Sequence, residues 1–221
     1  MKTANRFVPF LMLGAAVMFA RAPFMIHDAP MESTMGLIQK IFYFHVPAAS
    51  ATFLAAAVCG IASAMFLWRR TPAADHVAVS AAELAVVFGV IVLITGPLWA
   101  RKAWGVWWQW DPRLTMTLVM WMVFVAYLLL RRFGGAGSEV LAAAVGLFGM
   151  ALVPFIYISV NYWRTIHPTT DVVPSLPRAM AGPFWWSMFA FVLLFAAILI
   201  VRIRLESNRA ALEDAYAALE D

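Results

Sequence analysis

The sequence predicts an all-α integral membrane protein, a bundle of six transmembrane helices. Of its 221 residues, 64% are hydrophobic and only 13% are charged, whereas a soluble domain carries about 25% charged residues. The mean hydropathy is +0.82, and the long apolar runs fit spans of about 20 residues. Because lipid offers the backbone no hydrogen-bond partner, such runs cross a membrane as helices. The alternating segments of about ten residues that mark a β-barrel are absent.

The apolar runs predict a single transmembrane domain over residues 1–221 and give the order of its elements. We expect spans near 7–26, 42–68, 77–98, 114–131, 139–160 and 184–204, and then a tail over 205–221. Lys2 and Arg6 before the first run are also typical of a signal peptide. Pro23 lies just after the candidate cleavage position, which is unfavourable for cleavage, so we expect a retained span.

Basic residues predict the orientation of the bundle. Six spans place both termini on one side, and the pairs Arg69–Arg70 and Arg131–Arg132 lie at span ends on that same side. Paired basic residues at span ends mark the cytoplasmic face, so we expect both termini in the cytoplasm. Long loops are more often functional than short ones, which points to the external side. Its three loops lie near 27–41, 99–113 and 161–183.

The segment 104–115, with the sequence WGVWWQWDPRLT, combines four tryptophans with an aspartate and an arginine. An indole buries about 150–250 Å² and keeps an N–H free, so this cluster suits a large, flat, apolar ligand with anionic edges, a description that fits haem. On a helical turn, Trp104, Trp107 and Trp108 would share one face. A tryptophan belt at the membrane interface is the alternative.

Charged residues surround this segment. Asp111 precedes Pro112 and is typical of the N-cap of the fourth span. Guanidinium groups match carboxylate geometry, so nearby basic residues are candidates for pairing with the anionic edges of a ligand or for anchoring helix ends. These candidates are Arg101, Lys102, Arg113, Arg164 and Arg178.

Two of the four histidines lie where an external site is expected. His45 begins the second span and His167 follows the fifth, so both sit at the level of the tryptophan segment. Imidazoles from two helix ends can ligate haem iron from opposite faces, although either can also be a headgroup-level residue. His76 is expected in a cytoplasmic loop, and His27 in the first external loop is open to either role.

These motifs resemble a known family. WGVWWQWDPRLT resembles the tryptophan-rich WWD signature of the haem-handling proteins of cytochrome c maturation, a dense and specific match. The segments 42–49 (FYFHVPAA) and 162–167 (YWRTIH) resemble those that carry the external haem-ligand histidines in that family. With six spans over this length, the chain is most similar to the CcmC family, and the resemblance covers residues 35–204.

The resemblance implies a site, a cargo and partners. Haem b would be held at the outer face of the bacterial inner membrane, with His45 and His167 as axial ligands. The haem platform would consist of Trp104, Trp107, Trp108, Trp110 and Asp111. Haem would pass to a periplasmic chaperone like CcmE, in a complex with a CcmA-like ATPase, a CcmB-like permease and a CcmD-like small subunit.

The resemblance implies a haem-transfer subunit and not an enzyme. It contains no GxxxxGK[ST] motif, so any ATP hydrolysis belongs to a partner. A compact synthase of the CcsA type, a membrane electron-transfer cytochrome and a permease whose tryptophans only form a belt are the alternatives. The calculated pI of 9.6 reflects helix-end anchors and not a nucleic-acid surface.

Overall fold

The computed structural model describes residues 2–220, and only the backbone of residues 2–6 and 220. In this part of the chain there are six long α-helices, each apolar enough to cross a membrane, which confirms the predicted fold class of a multi-pass helical protein. They are α1 (Lys2–Asp28), α2 (Phe42–Arg69), α3 (Pro72–Ala103), α4 (Pro112–Phe133), α5 (Ser138–Tyr162) and α6 (Arg178–Glu220). The predicted domain also includes Met1 and Asp221, which lie outside the described residues.

The connections between helices differ at the two ends of the bundle. At one end, here called the short-loop end, α2 passes to α3 through Arg70 and Thr71, and residues 134–137 join α4 to α5. Pro72 starts α3 at the first helical position, and Gly135 and Gly137 have positive φ. At the other end, the loop-rich end, the connections are residues 29–41, 104–111 and 163–177. Backbone and side chains free to form a site are therefore concentrated at the loop-rich end.

Helices α2 and α3 form the centre of the bundle. Their contact contains fully buried alanines such as Ala55, Ala81 and Ala82, and small residues let helix backbones approach closely in a membrane. Helix α2 also contacts α5 and α6, whereas α1 packs mainly on α6. A Cβ built at Gly149 of α5 would lie 2.7 Å from the Phe124 ring of α4, so this close contact requires glycine.

Charged residues toward the short-loop end are paired between helices. Glu83 of α3 bonds Arg202 of α6 through both of its oxygens, and one of these bonds measures 2.6 Å. Arg131 of α4 donates to the Asp75 carboxylate of α3 at 2.6 Å. An isolated charge in a span is costly, and pairing offsets much of that cost. These pairs fix α3 against α4 and α6.

Two segments expected to be non-helical are helical. Helix α3 continues to Ala103, so the predicted loop 99–113 shrinks to residues 104–111. Arg101 and Lys102 are good helix formers, and the helix ends only before Gly105, which has φ +78°. The predicted tail 205–221 belongs to α6 as far as Glu220, because its alanine, leucine and glutamate residues also favour helix.

Candidate functional site

A cavity opens at the loop-rich end between α2, α3, α4 and the 163–177 connection. Counted together with the solvent space at its mouth, its volume is about 780 Å³. The side chains that give it chemical character are His45, Trp99, Trp104, Trp108, Arg113 and His167. A second cavity, of about 1,010 Å³, shares both histidines, Trp99 and Arg113 and extends toward Phe184 and Trp185 of α6.

His45 lies in the first turn of α2 and is only 6% exposed. Its Nδ1 is 2.8 Å from Thr95 Oγ1 on α3. The Thr95 hydroxyl donates its single proton to the Ile91 carbonyl at 2.7 Å, so it accepts from His45, and Nδ1 carries the proton. In the neutral ring, Nε2 then keeps its lone pair for a ligand.

His167 reaches the same arrangement by a different contact. Its Nδ1 lies 2.8 Å from the Pro168 carbonyl, and a carbonyl only accepts, so Nδ1 is again the protonated nitrogen. Burial, together with the positive charge of Arg113, lowers the pKa of His167 to about 3. The ring is therefore neutral at physiological pH, with Nε2 unprotonated.

The pair of imidazoles provides two nitrogen donors to the same cavity. Among residues 7–219, whose side chains the structure describes, no group of three or more His, Cys, Asp or Glu side chains is placed to bind a metal ion. A metal held by two imidazoles needs its remaining positions filled by another group. A porphyrin supplies four equatorial nitrogens and leaves two axial positions, so this donor set fits haem iron.

Trp99, Trp104 and Trp108 form one wall of the cavity, here called the tryptophan wall. Trp104 stacks on Trp99 with ring centroids 6.1 Å apart and planes 24° apart, and Trp99 meets the His45 ring edge to face at 5.7 Å. Trp99 and Trp108 each have a buried Nε1 with no hydrogen-bond partner within the described chain. Buried indole N–H groups normally have a partner.

Trp107 and Trp110 lie outside the cavity lining. They are 58% and 77% exposed and are not among the residues that line either cavity. The expectation of one helical face for Trp104, Trp107 and Trp108 is wrong, because Gly105 ends α3 and the following residues are irregular. Trp110 meets Trp108 edge to face at 5.7 Å.

Of the five predicted basic residues, Arg113 is the one that lines the cavities. It lies in the first turn of α4 and borders both of them. Among the side chains the structure describes, no carboxylate lies within 4.0 Å of its guanidinium. A partly buried cation in this state favours an anionic ligand. The other four are exposed at the loop-rich end: Arg101, Lys102, Arg164 and Arg178.

Asp111 connects two loops and is 7% exposed. Its Oδ1 accepts the Leu114 N–H at 2.8 Å, which confirms the predicted N-cap of α4. Its Oδ2 accepts the Thr165 hydroxyl at 2.6 Å and the Ile166 N–H at 3.3 Å. Asp111 is not among the lining residues of either cavity.

The remaining two histidines lie away from these cavities. His27 lies in the last turn of α1, and not in a loop as expected, with its side chain 88% exposed. Its carbonyl accepts from Lys40 Nζ at 2.6 Å. His76 lies in the first turns of α3, at the short-loop end, and not in a loop as expected. Neither borders the cavity shared by the other two.

Sequence reasoning missed three residues that shape the site: Thr95, Trp99 and Thr165. Thr95 is a hydroxyl residue inside an apolar span, which is a usable signal. Trp99 lies five positions before Trp104, inside the predicted loop 99–113. Thr165 contacts a residue 54 positions away, so no local pattern indicates its role.

Comparison with known proteins places the chain in a family. The sequence model of the family described as CcmC, heme exporter protein C, matches residues 1–217. The heme exporter protein C of Escherichia coli strain K12 is 34% identical over 183 residues, 80% of this chain and 73% of the relative. That of Bradyrhizobium diazoefficiens is 32% identical over 210 residues, 92% and 80% of the two chains. This multi-pass membrane protein therefore belongs to the CcmC, or heme exporter protein C, family.

Proposed function

We propose that the chain binds haem at the loop-rich end, between His45 and His167, and delivers it for cytochrome c maturation. The observation that carries this proposal is that the two imidazoles share the same protonation pattern. Each has Nδ1 engaged by an acceptor within the chain, and both border the same cavity. Two such rings are suited to ligate one iron atom through Nε2.

The rest of the cavity suits the porphyrin. Trp104 and Trp108 offer flat apolar surfaces, and Arg113 offers a cation for a propionate. When bound, haem would supply an iron that takes nitrogen ligands and a flat apolar ring with two carboxylates. The protein positions the donors, covers the apolar ring and balances the anionic edge. Haem b fits better than a covalently attached haem, since the single cysteine, Cys59, rules out a CxxCH attachment motif.

Transfer of the haem is the second part of the proposal. Relatives in this family are named heme exporters, and we propose that this chain passes haem to a periplasmic chaperone of the CcmE type. The acceptor would approach the exposed Trp107 and Trp110 beside the cavity. The chain would catalyse no bond change and would move its cargo as a ligand.

The proposal extends to the partner subunits of the chain and to its orientation in the membrane. We propose a complex with a CcmA-like ATPase, a CcmB-like permease and a CcmD-like subunit, because the sequence has no phosphate-binding loop of its own. The pairs Arg69–Arg70 and Arg131–Arg132 lie at the short-loop end, which favours a cytoplasmic position for that end in a bacterial inner membrane. The cavity then opens on the periplasmic side.

Haem titration of the purified chain in lipid nanodiscs tests the binding site. We expect a low-spin absorption spectrum typical of two histidine ligands in the wild type. His45→Ala and His167→Ala should each weaken haem binding and lose that spectrum, whereas the matched control His76→Ala should keep both. Equal loss in all three variants, or no haem in the wild type, would contradict the proposal.

A second measurement tests the transfer. The haem-loaded chain is mixed with a purified CcmE-type chaperone, and the haem content of each protein is measured after separation. Movement of haem to the chaperone supports a transfer subunit. Retention of haem together with reversible reduction would instead favour the electron-transfer cytochrome, and attachment to an apocytochrome without the chaperone would favour a CcsA-type synthase.

A further inference from the structure

The Asp111 carboxylate is at the centre of a hydrogen-bond network that joins the 104–111 segment to the segment carrying His167. Both oxygens are occupied: Oδ1 by the Leu114 N–H, and Oδ2 by the Thr165 hydroxyl and the Ile166 N–H. Charge-assisted bonds of this kind are stronger than neutral ones. One side chain therefore both caps α4 and fixes a turn 54 residues away.

The network continues to His167 through Thr165. The Thr165 hydroxyl gives its proton to Asp111 and accepts the His167 backbone N–H at 3.0 Å. The His167 ring then donates from Nδ1 to the Pro168 carbonyl at 2.8 Å. The backbone on the N-terminal side of His167 is thus tied to Asp111, and the ring is tied to the backbone on the C-terminal side.

The carboxylate itself is turned away from the ligand space. Asp111 is 7% exposed, and Ile166 and His167 border the first cavity whereas Asp111 does not. With its oxygens engaged by three donors, Asp111 has little capacity to contact a ligand. Its effect on the cavity passes through the residues it binds.

We infer that Asp111 is a positioning residue that fixes His167 as a ligand, and is not part of the surface that touches haem. This inference rests on the proposed function, because it assigns a role within the same site. It predicts that loss of the Asp111–Thr165 contact affects the His167 ligand selectively and leaves the tryptophan wall in place. Removal of a residue that orients a metal ligand typically costs about 10–100-fold in affinity.

Asp111→Asn separates the two tasks of this side chain. Asparagine caps a helix as well as aspartate does, so its Oδ1 still accepts from Leu114. Its amide nitrogen then faces the Thr165 hydroxyl and the Ile166 N–H and accepts from neither. We expect at least tenfold weaker haem binding and a shift from the two-histidine spectrum to that of one histidine. Added imidazole should restore the original spectrum by filling the position that His167 leaves.

Thr165→Val breaks the same contact from the other side, with nearly the same side-chain shape, and should give the same shift and the same rescue. Asp171→Asn is the matched control. It removes the same charge as Asp111→Asn, from the connection that carries Thr165 and His167, and its carboxylate makes no bond to either of those residues within the described chain. It should retain the wild-type spectrum and affinity.

Amide hydrogen exchange of the haem-free protein gives a readout that needs no ligand. Asp111→Asn and Thr165→Val should speed exchange at residues 166–167, and Asp171→Asn should not. Unchanged exchange overturns the inference. So does weaker haem binding with the two-histidine spectrum intact, or a one-histidine spectrum that imidazole does not restore. A wild type without haem would overturn the proposed function, while the exchange data would still decide the role of Asp111.

Discussion

Thr95 determines which nitrogen of His45 is free. The Thr95 hydroxyl donates to the Ile91 carbonyl and can therefore only accept from His45 Nδ1, at a distance of 2.8 Å. A residue on α3 thus sets the protonation pattern of a ring on α2. This contact joins the two central helices of the bundle at the cavity.

Thr95→Val should remove this control while keeping the shape of the side chain. The His45 Nδ1–H would lose its acceptor, so the ring could rotate or change tautomer. We expect haem affinity to fall about 10–100-fold, the usual effect of losing a partner that orients a metal ligand. Haem titration followed by absorption measures this change. Thr95→Ser, which keeps the hydroxyl, should bind nearly as the wild type, and equal loss in both variants would refute the role of the hydroxyl.

Trp108→Ala should weaken haem retention more than Trp68→Ala. Trp108 borders the cavity and has a buried Nε1, whereas Trp68 is 79% exposed at the short-loop end. The rate of haem loss to an excess of apomyoglobin measures retention. Greater loss from Trp68→Ala would show that the tryptophan wall is not part of the haem site.

Arg113→Gln should weaken haem binding more than Arg164→Gln. Arg113 borders both cavities and has no carboxylate partner within 4.0 Å among the described side chains, while Arg164 is exposed. A charge-assisted contact to a propionate contributes about 1.5–3 kcal/mol, or about 10–150-fold in affinity. A haem dimethyl ester, which lacks both anionic charges, should bind the wild type and Arg113→Gln with similar affinity. A large difference with the ester would exclude a propionate contact.

The His167 ring should stay neutral far below the usual histidine range. Its pKa is lowered to about 3 by burial and by the Arg113 charge, against an ordinary value of about 6.5. Between these values the unfolded chain binds a proton that the folded chain does not, so the stability of the haem-free protein from this group should fall as pH drops from about 6.5 toward 3. Nitrogen-15 NMR of the imidazoles checks the assignment. A His167 midpoint near 6.5 would contradict it.

Periodicity and composition predict the helices well and their ends less well. The apolar runs identify all six spans, since each must satisfy its own backbone in lipid. Helix α3 extends to Ala103 and α6 to Glu220 because polar helix formers continue both beyond their apolar runs. Gly105 is a visible helix terminator, and it separates Trp104 from Trp107 and Trp108.

Part of the site is predictable from the local sequence, and part depends on contacts between residues that are far apart in the chain. His45, His167 and the tryptophan segment stand out because of residue type and position at span ends. The Asp111 cap is local and was predictable from Pro112. The contacts Thr95–His45 and Asp111–Thr165 join residues 50 and 54 positions apart. They depend on how the helices pack, which no single stretch of sequence determines.

Helix α6 has a further consequence because it runs without a break from Arg178 to Glu220. At 1.5 Å per residue it is about 64 Å long, roughly twice the hydrocarbon thickness of a bilayer. Its first turns, with Phe184 and Trp185, border the second cavity, and its last turns project past the opposite end of the bundle. A continuous helix is stiff along its axis, so α6 joins the wall of the second cavity to the turns around Tyr216 as one rigid element. The two ends of the bundle are thus linked by a single helix, with one cavity wall at its start and a polar segment at its finish.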